Sequence, residues 1–206
     1  MQTYFRDKMI KRYLFILLIF FSISASAQNV LIAYFSHCGE NFGVGNIEEG
    51  NTAKVAKIIA KETGGTLFEI VPEKPYPLDS YERTCAISIE ELSSKARPAI
   101  LNKVPNFDQY DIIFIGYPVW WNDAPMIIYT FLEEYDFSKK TVIPFSTSAS
   151  KDVKRVEYKV AQAANAEYVR NGINIIGKLA QFRTYEAEEI IHNWIYTFGT
   201  FNMKNE

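Results

Sequence analysis

The chain has 206 residues, 48% of them hydrophobic and 22% charged, which fits one ordinary globular domain and excludes a disordered or low-complexity protein. Its 22 basic and 24 acidic side chains leave a formal net charge of −2, so the basic footprint that nucleic-acid binding needs is missing. Of its two cysteines, Cys38 is expected in a loop and Cys85 on a helix, and whether they pair is left open.

The first 27 residues stand apart. Arg6, Lys8, Lys11 and Arg12 precede the apolar run Tyr13 to Ile23, and Ala25-Ser26-Ala27 follows it. This order predicts a secretory signal peptide, residues 1–27, removed to leave one domain over 28–206. The apolar run is shorter than the roughly 20 residues that span a bilayer, so no stable membrane span is expected after cleavage. The expectation is an exported protein, periplasmic or secreted; the alternative is an uncleaved N-terminal anchor. Cleavage removes four bases and one acid, and 18 minus 23 gives a net charge of −5.

From Val30 onward, strand and helix patterns alternate. Val30 to Phe35 reads as strand one, and Thr52 to Thr63 as an amphipathic helix with Val55, Ile58 and Ile59 inward. Gly64-Gly65 ends that helix. Leu67 to Val71 is strand two, closed by Pro72, Pro75 and Pro77. Ser80 to Lys95 reads as a helix with Ala86, Ile89 and Leu92 inward. Asp111 to Tyr117 is strand three, whose unbroken apolar run Ile112 to Ile115 suits a strand covered on both faces. Pro125 to Tyr135 is a helix with proline near its first turn. Lys140 to Phe145 is strand four, Ser150 to Ala164 a helix, and Ala166 to Ile176 a fifth strand interrupted at Asn171-Gly172. Tyr185 to Thr197 closes the chain as a helix.

Such alternation predicts an α/β fold, a three-layer α/β/α doubly wound sandwich on a five-stranded parallel sheet. Right-handed crossovers restrict the topology, and the expected order is 2-1-3-4-5 with its switch point between strands one and three. Open sheets of this kind bind ligands outside the carboxyl ends of their strands. Three loops meet there: Ser36 onward, Tyr117 to Asn122, and Ser146 to Ser150. The first leads to Gly50-Asn51-Thr52 at a helix N-terminus, where free N–H groups and the helix dipole favour an anion; Asn51 or Thr52 as a simple helix cap is the plainer reading. The second ends in Trp120-Trp121, two flat side chains suited to a flat aromatic ligand.

Other phosphate motifs fail on particular residues. Gly45 to Thr52, GNIEEGNT, has asparagine where GxxxxGK[ST] needs lysine. Gly43-Val44-Gly45 is followed by Glu48 where a dinucleotide fingerprint needs its third glycine. His37 beside Cys38 offers two metal ligands where a closed zinc site needs four. His192 lies among Ile190, Ile191 and Trp194 and reads as packed or solvated.

Taken together, Tyr34-Phe35-Ser36 with Gly50-Asn51-Thr52, Glu73-Lys74-Pro75-Tyr76-Pro77, Ala96-Arg97-Pro98, and Gly116 to Trp121 resemble the flavodoxin-like family, in particular its short-chain FMN-binding members. The similarity covers about Val30 to Trp194. It implies FMN as cofactor, with the phosphate at Ser36, Asn51 and Thr52. It also implies flavin-ring contacts from Pro118, Val119, Trp120 and Trp121 and from Ser146, Thr147 and Ser148. The implied function is electron transfer with a redox partner protein or a small-molecule acceptor; the alternatives are an FMN-dependent NAD(P)H:quinone-type reductase and a binding protein of this fold without cofactor. No catalytic side chain is implied, since the flavin performs the chemistry. Two departures stand out: the compact phosphate loop is opened by residues 37–50, and Ala149-Ser150-Lys151 replaces a glycine-rich turn.

Overall fold

The computed structural model describes residues 29–150 and 154–199; the expected signal segment lies outside the described residues. Strand β1 is Val30–Tyr34, with β2 (Gly39–Asn41) and β3 (Gly45–Ile47) following it, then helix α1 (Asn51–Thr63) and β4 (Thr66–Glu69). Helix α2 (Tyr81–Ser94), β5 (Ile112–Pro118), α3 (Met126–Glu134), β6 (Thr141–Ser148) and α4 (Lys154–Ala164) come next. The chain closes through β7 (Tyr168–Val169), β8 (Ile173–Ile176), α5 (Gly177–Phe182) and α6 (Thr184–Tyr196).

Strands order as β4-β1-β5-β6-β7, all parallel, with β8 also pairing β6. In chain terms this is 2-1-3-4-5. The sheet has six strands rather than five because the fifth position is split: β7 pairs with Thr141 and Val142, and β8 with Phe145 to Ser148. Between them, after Arg170 N donates to the Val142 carbonyl at 3.0 Å, the chain leaves the ladder at the expected Asn171-Gly172 break.

Strand side chains alternate between the two faces, so each apolar run feeds two cores. Leu31, Ala33, Ile113 and Ile115 pack with Ile127, Ile128 and Phe131 of α3 and Val156 and Val160 of α4. Ile32, Tyr34, Ile112, Phe114 and Ile143 pack with Val55, Ala56 and Ile59 of α1 and Ala187, Ile191 and Ile195 of α6. Each fully buried aliphatic or aromatic side chain contributes roughly 1.5–3 kcal/mol, so this doubly covered sheet holds the carboxyl ends of β1, β5 and β6 fixed. Among the described residues no helix is long and apolar enough to cross a membrane.

Helix α2 corrects the sequence expectation. Ala86 and Ile89 face solvent, Ile89 with 42% of its surface exposed, and Leu92 is half-buried; the buried positions are Thr84 and Ser88. The helix does not cover the sheet's apolar core. It walls the cavity at the carboxyl ends of the strands, and Thr84 and Ser88 turn inward to it. A second correction lies in the loop after β1, where β2 and β3 pair antiparallel as a small hairpin outside the main sheet. Its glycines and polar residues carry no strand signal.

Candidate functional site

A cavity of about 460 Å³ opens at the carboxyl ends of β1, β5 and β6. That lies within the roughly 300–1,000 Å³ of cofactor sites, and it sits beside the switch point, where β5 and β4 flank β1 on opposite sides.

Asn51 lines the cavity from the first residue of α1. The cap of that helix is not local: Gly50 stands at the N-cap without a side-chain bond, and Ser36 Oγ accepts from Ala53 N at 3.0 Å. Gly50 is required here because an added Cβ would meet the Ser36 hydroxyl and the His37 carbonyl. Beyond the Ala53 N–H, the helix's first-turn N–H groups lack intrahelical carbonyls, which gives the end its affinity for an anion. Asn51 Oδ1 is buried without a partner, and the Asn51 amide packs on Gly177 at the start of α5.

The opposite wall comes from β5. Pro118, Val119, Trp120 and Trp121 all line the cavity. Trp120 is half-buried and meets Phe35, His37 and Tyr76 edge to face, with centroids 5.5, 5.8 and 5.1 Å away. Its backbone N–H and carbonyl exchange 2.9 Å bonds with Asp123, closing a two-residue turn. The central residues of that turn, Trp121 and Asn122, have φ of 53° and 58°. A left-handed tryptophan is an unfavourable backbone state of the kind that collects at ligand sites. Trp121 stays 50% exposed at the mouth of the cavity, and its indole Nε1 donates to Ser88 Oγ on α2 at 3.0 Å.

Asp123 anchors this turn. Its carboxylate accepts from the Tyr129 hydroxyl at 2.6 Å, from Ala124 N at 2.9 Å and from Lys159 Nζ at 2.5 Å, so α3 and α4 both hold it. After β6, Thr147 and Ser148 line the cavity, and Val119 N bonds to the Thr147 carbonyl at 2.8 Å, locking the second loop to the third.

Seven of the ten residues expected at the site therefore line one cavity: Asn51, Pro118, Val119, Trp120, Trp121, Thr147 and Ser148. The other three stand behind its wall. Ser36 serves α1 as its cap; the Thr52 hydroxyl bonds to that of Thr147 at 2.8 Å; Ser146 is fully buried and donates to Asn174 Oδ1 at 3.1 Å.

Sequence reasoning missed several lining residues. Tyr81, Thr84, Cys85 and Ser88 form one stripe of α2 at spacings of three and four, a polar pattern that apolar periodicity overlooks. Tyr81 is pushed up to about 12, first by its hydrogen bond with the Cys85 thiol and then by burial. Glu40 to Val44 reach in from the hairpin, and Ile176, Gly177 and Lys178 from the carboxyl end of β8. His37 is buried at the cavity wall, and burial holds its imidazole below the usual range. Both cysteines are free thiols. Among the described residues no group of three or more His, Cys, Asp or Glu could hold a metal ion. The arrangement suits a flat ring beside the proline–tryptophan wall and an anionic tail at α1.

Comparisons with known proteins bear on the family and the fold. A family model described as flavodoxin matches residues 29–197. A crystal structure of a protein assigned as a flavoprotein from Bacteroides eggerthii is 30% identical, with a TM-score of 0.66 over 84% of this chain and 98% of that one. Another from Bacteroides uniformis is 35% identical, with a TM-score of 0.65 over 82% and 98%. A flavoprotein from Lactobacillus acidophilus solved in complex with FMN is 24% identical, with a TM-score of 0.59 over 72% and 93%, and shows the shared fold. No curated protein matches the chain at a significant level.

Proposed function

The chain belongs to the flavodoxin family, and from that membership we propose that it is an FMN-binding redox protein that exchanges electrons with a partner protein or a small-molecule acceptor. One observation carries the reading: a helix start free to take an anion and a proline–tryptophan wall suited to a flat ring lie in the same cavity, at the sheet's switch point. Asn51 and the first turn of α1 would hold the phosphate, with Ser36 and Thr52 fixing that turn from behind. Pro118, Val119, Trp120 and Trp121 would flank the ring, with Thr147 and Ser148 supplying polar contacts at its edge. Bound FMN supplies the one- and two-electron chemistry, while the side chains bind, orient and exclude water.

The bound protein is expected to be yellow, and a colourless protein that takes up no added FMN would leave the reading of a cofactor-less binding protein. An FMN-dependent reductase is the second reading: the cavity wall continues past Trp121 to Tyr81, Thr84, Cys85 and Ser88 of α2, the side from which a substrate would approach the ring. Steady-state oxidation of NAD(P)H with a quinone tests it; a flavin that never oxidises NAD(P)H leaves the carrier. We also propose export, supported by the basic, apolar and small-residue order of residues 1–27. An exported protein meets little NAD(P)H, which supports a carrier.

A further inference from the structure

Two side chains at this cavity carry a buried polar atom without a partner, Asn51 and His37, and of these only His37 has no role in the reading above. It is only 7% exposed, lines the cavity, and its Nε2 is buried with no hydrogen-bond partner. A buried polar nitrogen without a partner costs about 1–3 kcal/mol, and a Phe or Leu would fill the aromatic box of Phe35, Tyr76 and Trp120 without that cost. The main chain of His37 also lies against the start of α1: Ser36 caps that helix, and the His37 carbonyl sits over Gly50. The backbone of His37 therefore lies against the helix end that favours an anion, while its ring packs edge-on to Tyr76 and Trp120 in the cavity wall.

We propose that His37 is the titratable contact of the flavin phosphate, its Nε2–H donating to a phosphate oxygen of bound FMN. This rests on the FMN reading above. An anion beside an imidazole favours the charged form, so bound phosphate raises the His37 midpoint that burial lowers in the free protein. Linkage then requires FMN affinity to rise as pH falls through the bound midpoint and to level off below the free one. The charged and titratable groups around this space are few. Tyr76 packs edge-on to His37 and donates to Glu91 at 2.7 Å; Glu40 on the hairpin accepts from Tyr81 N at 2.9 Å; Glu49 pairs with Lys57 at 2.6 Å. Cys38 is the chain neighbour, Tyr81 and Cys85 face the cavity from α2, and Lys178 from α5.

The chain has two histidines, so each titration is resolved separately by proton NMR. His192, exposed and paired with Glu62 at 2.7 Å on the far helix face, is the internal control. The His37 midpoint is measured in the purified protein alone, with FMN, with riboflavin and with inorganic phosphate. FMN is expected to raise it by about one pH unit or more, equivalent to about tenfold in affinity. Inorganic phosphate at high concentration is expected to move it the same way, while riboflavin and His192 show no comparable change. FMN that binds without moving His37, or riboflavin that moves it as far, overturns the proposal. No uptake of FMN overturns the flavin reading and this proposal with it. His37→Gln keeps a donor but does not titrate, so the ratio of wild-type to variant FMN affinity isolates the His37 contribution from the phosphate's own protonation. That ratio is expected to rise as pH falls; a flat ratio overturns the proposal.

Discussion

Asp123 joins the tryptophan turn to two helices, so Asp123→Ala tests whether that turn is held from outside the cavity. The substitution removes the acceptor of the half-buried Tyr129 hydroxyl, bonded at 2.6 Å, which costs about 1–3 kcal/mol when left unpartnered. It also removes the Lys159 ion pair, but the lysine side chain is 50% exposed, so that contribution is about 0–1 kcal/mol. The sum, about 1–4 kcal/mol, corresponds to a fall of about 2–16 °C in melting temperature for a domain of this size. FMN affinity is expected to fall at least about tenfold beyond any loss of folded protein, because Trp120 and Trp121 lose their fixed turn. Thermal unfolding and FMN fluorescence quenching measure the two effects. Asp123→Asn, which keeps one acceptor oxygen for Tyr129, should lie between the variant and wild type. A melting temperature within about 1 °C of wild type, with unchanged FMN affinity, would refute the reasoning.

Further outcomes follow from the same geometry. Thr147→Val strands the buried Thr52 hydroxyl and should cost about 1–3 kcal/mol in urea unfolding, whereas adding Thr52→Val recovers part of that loss because neither hydroxyl is then unpaired; equal losses for single and double variants would contradict this. Trp121→Gly relieves the left-handed backbone and should be about 1 kcal/mol more stable than Trp121→Ala, while both lose FMN affinity. His37 is held neutral by burial, below its ordinary 6.5, so the unfolded chain takes up its proton first. Stability present above pH 6.5 is therefore lost as pH falls through 6.5 towards the folded midpoint. Glu69 and Glu91, raised by burial, act oppositely from about 4.5 upward, so unfolding of wild type against His37→Gln isolates the histidine. A pH profile identical in the two proteins would contradict the assignment.

The sheet was legible because its chemistry is repetitive. Val30 to Tyr34, Ile112 to Ile115 and Val142 to Phe145 are apolar on both faces, and only central parallel strands bury both. The tryptophan wall was legible as well, since Gly116 and Pro118 mark where β5 meets its loop. The rest was hidden for physical reasons. Helix α2 buries Thr84 and Ser88 because its inner side faces the ligand cavity and not the apolar core of the sheet, which inverts the usual meaning of its apolar positions. Ser36 and Thr52 look like ligand donors in sequence, but their hydroxyls are taken by Ala53 N and Thr147. Lys178 and His37 carry no pattern at all; their place follows from where β8 and β1 end.

The central claim, that this cavity is an FMN site, is tested most directly by titrating FMN into the purified protein and following quenching of flavin fluorescence. The account predicts saturable uptake of one FMN per chain, weakened by Trp120→Ala and by Trp121→Ala in variants that remain folded. Folded wild-type protein that leaves FMN fluorescence unchanged would contradict it.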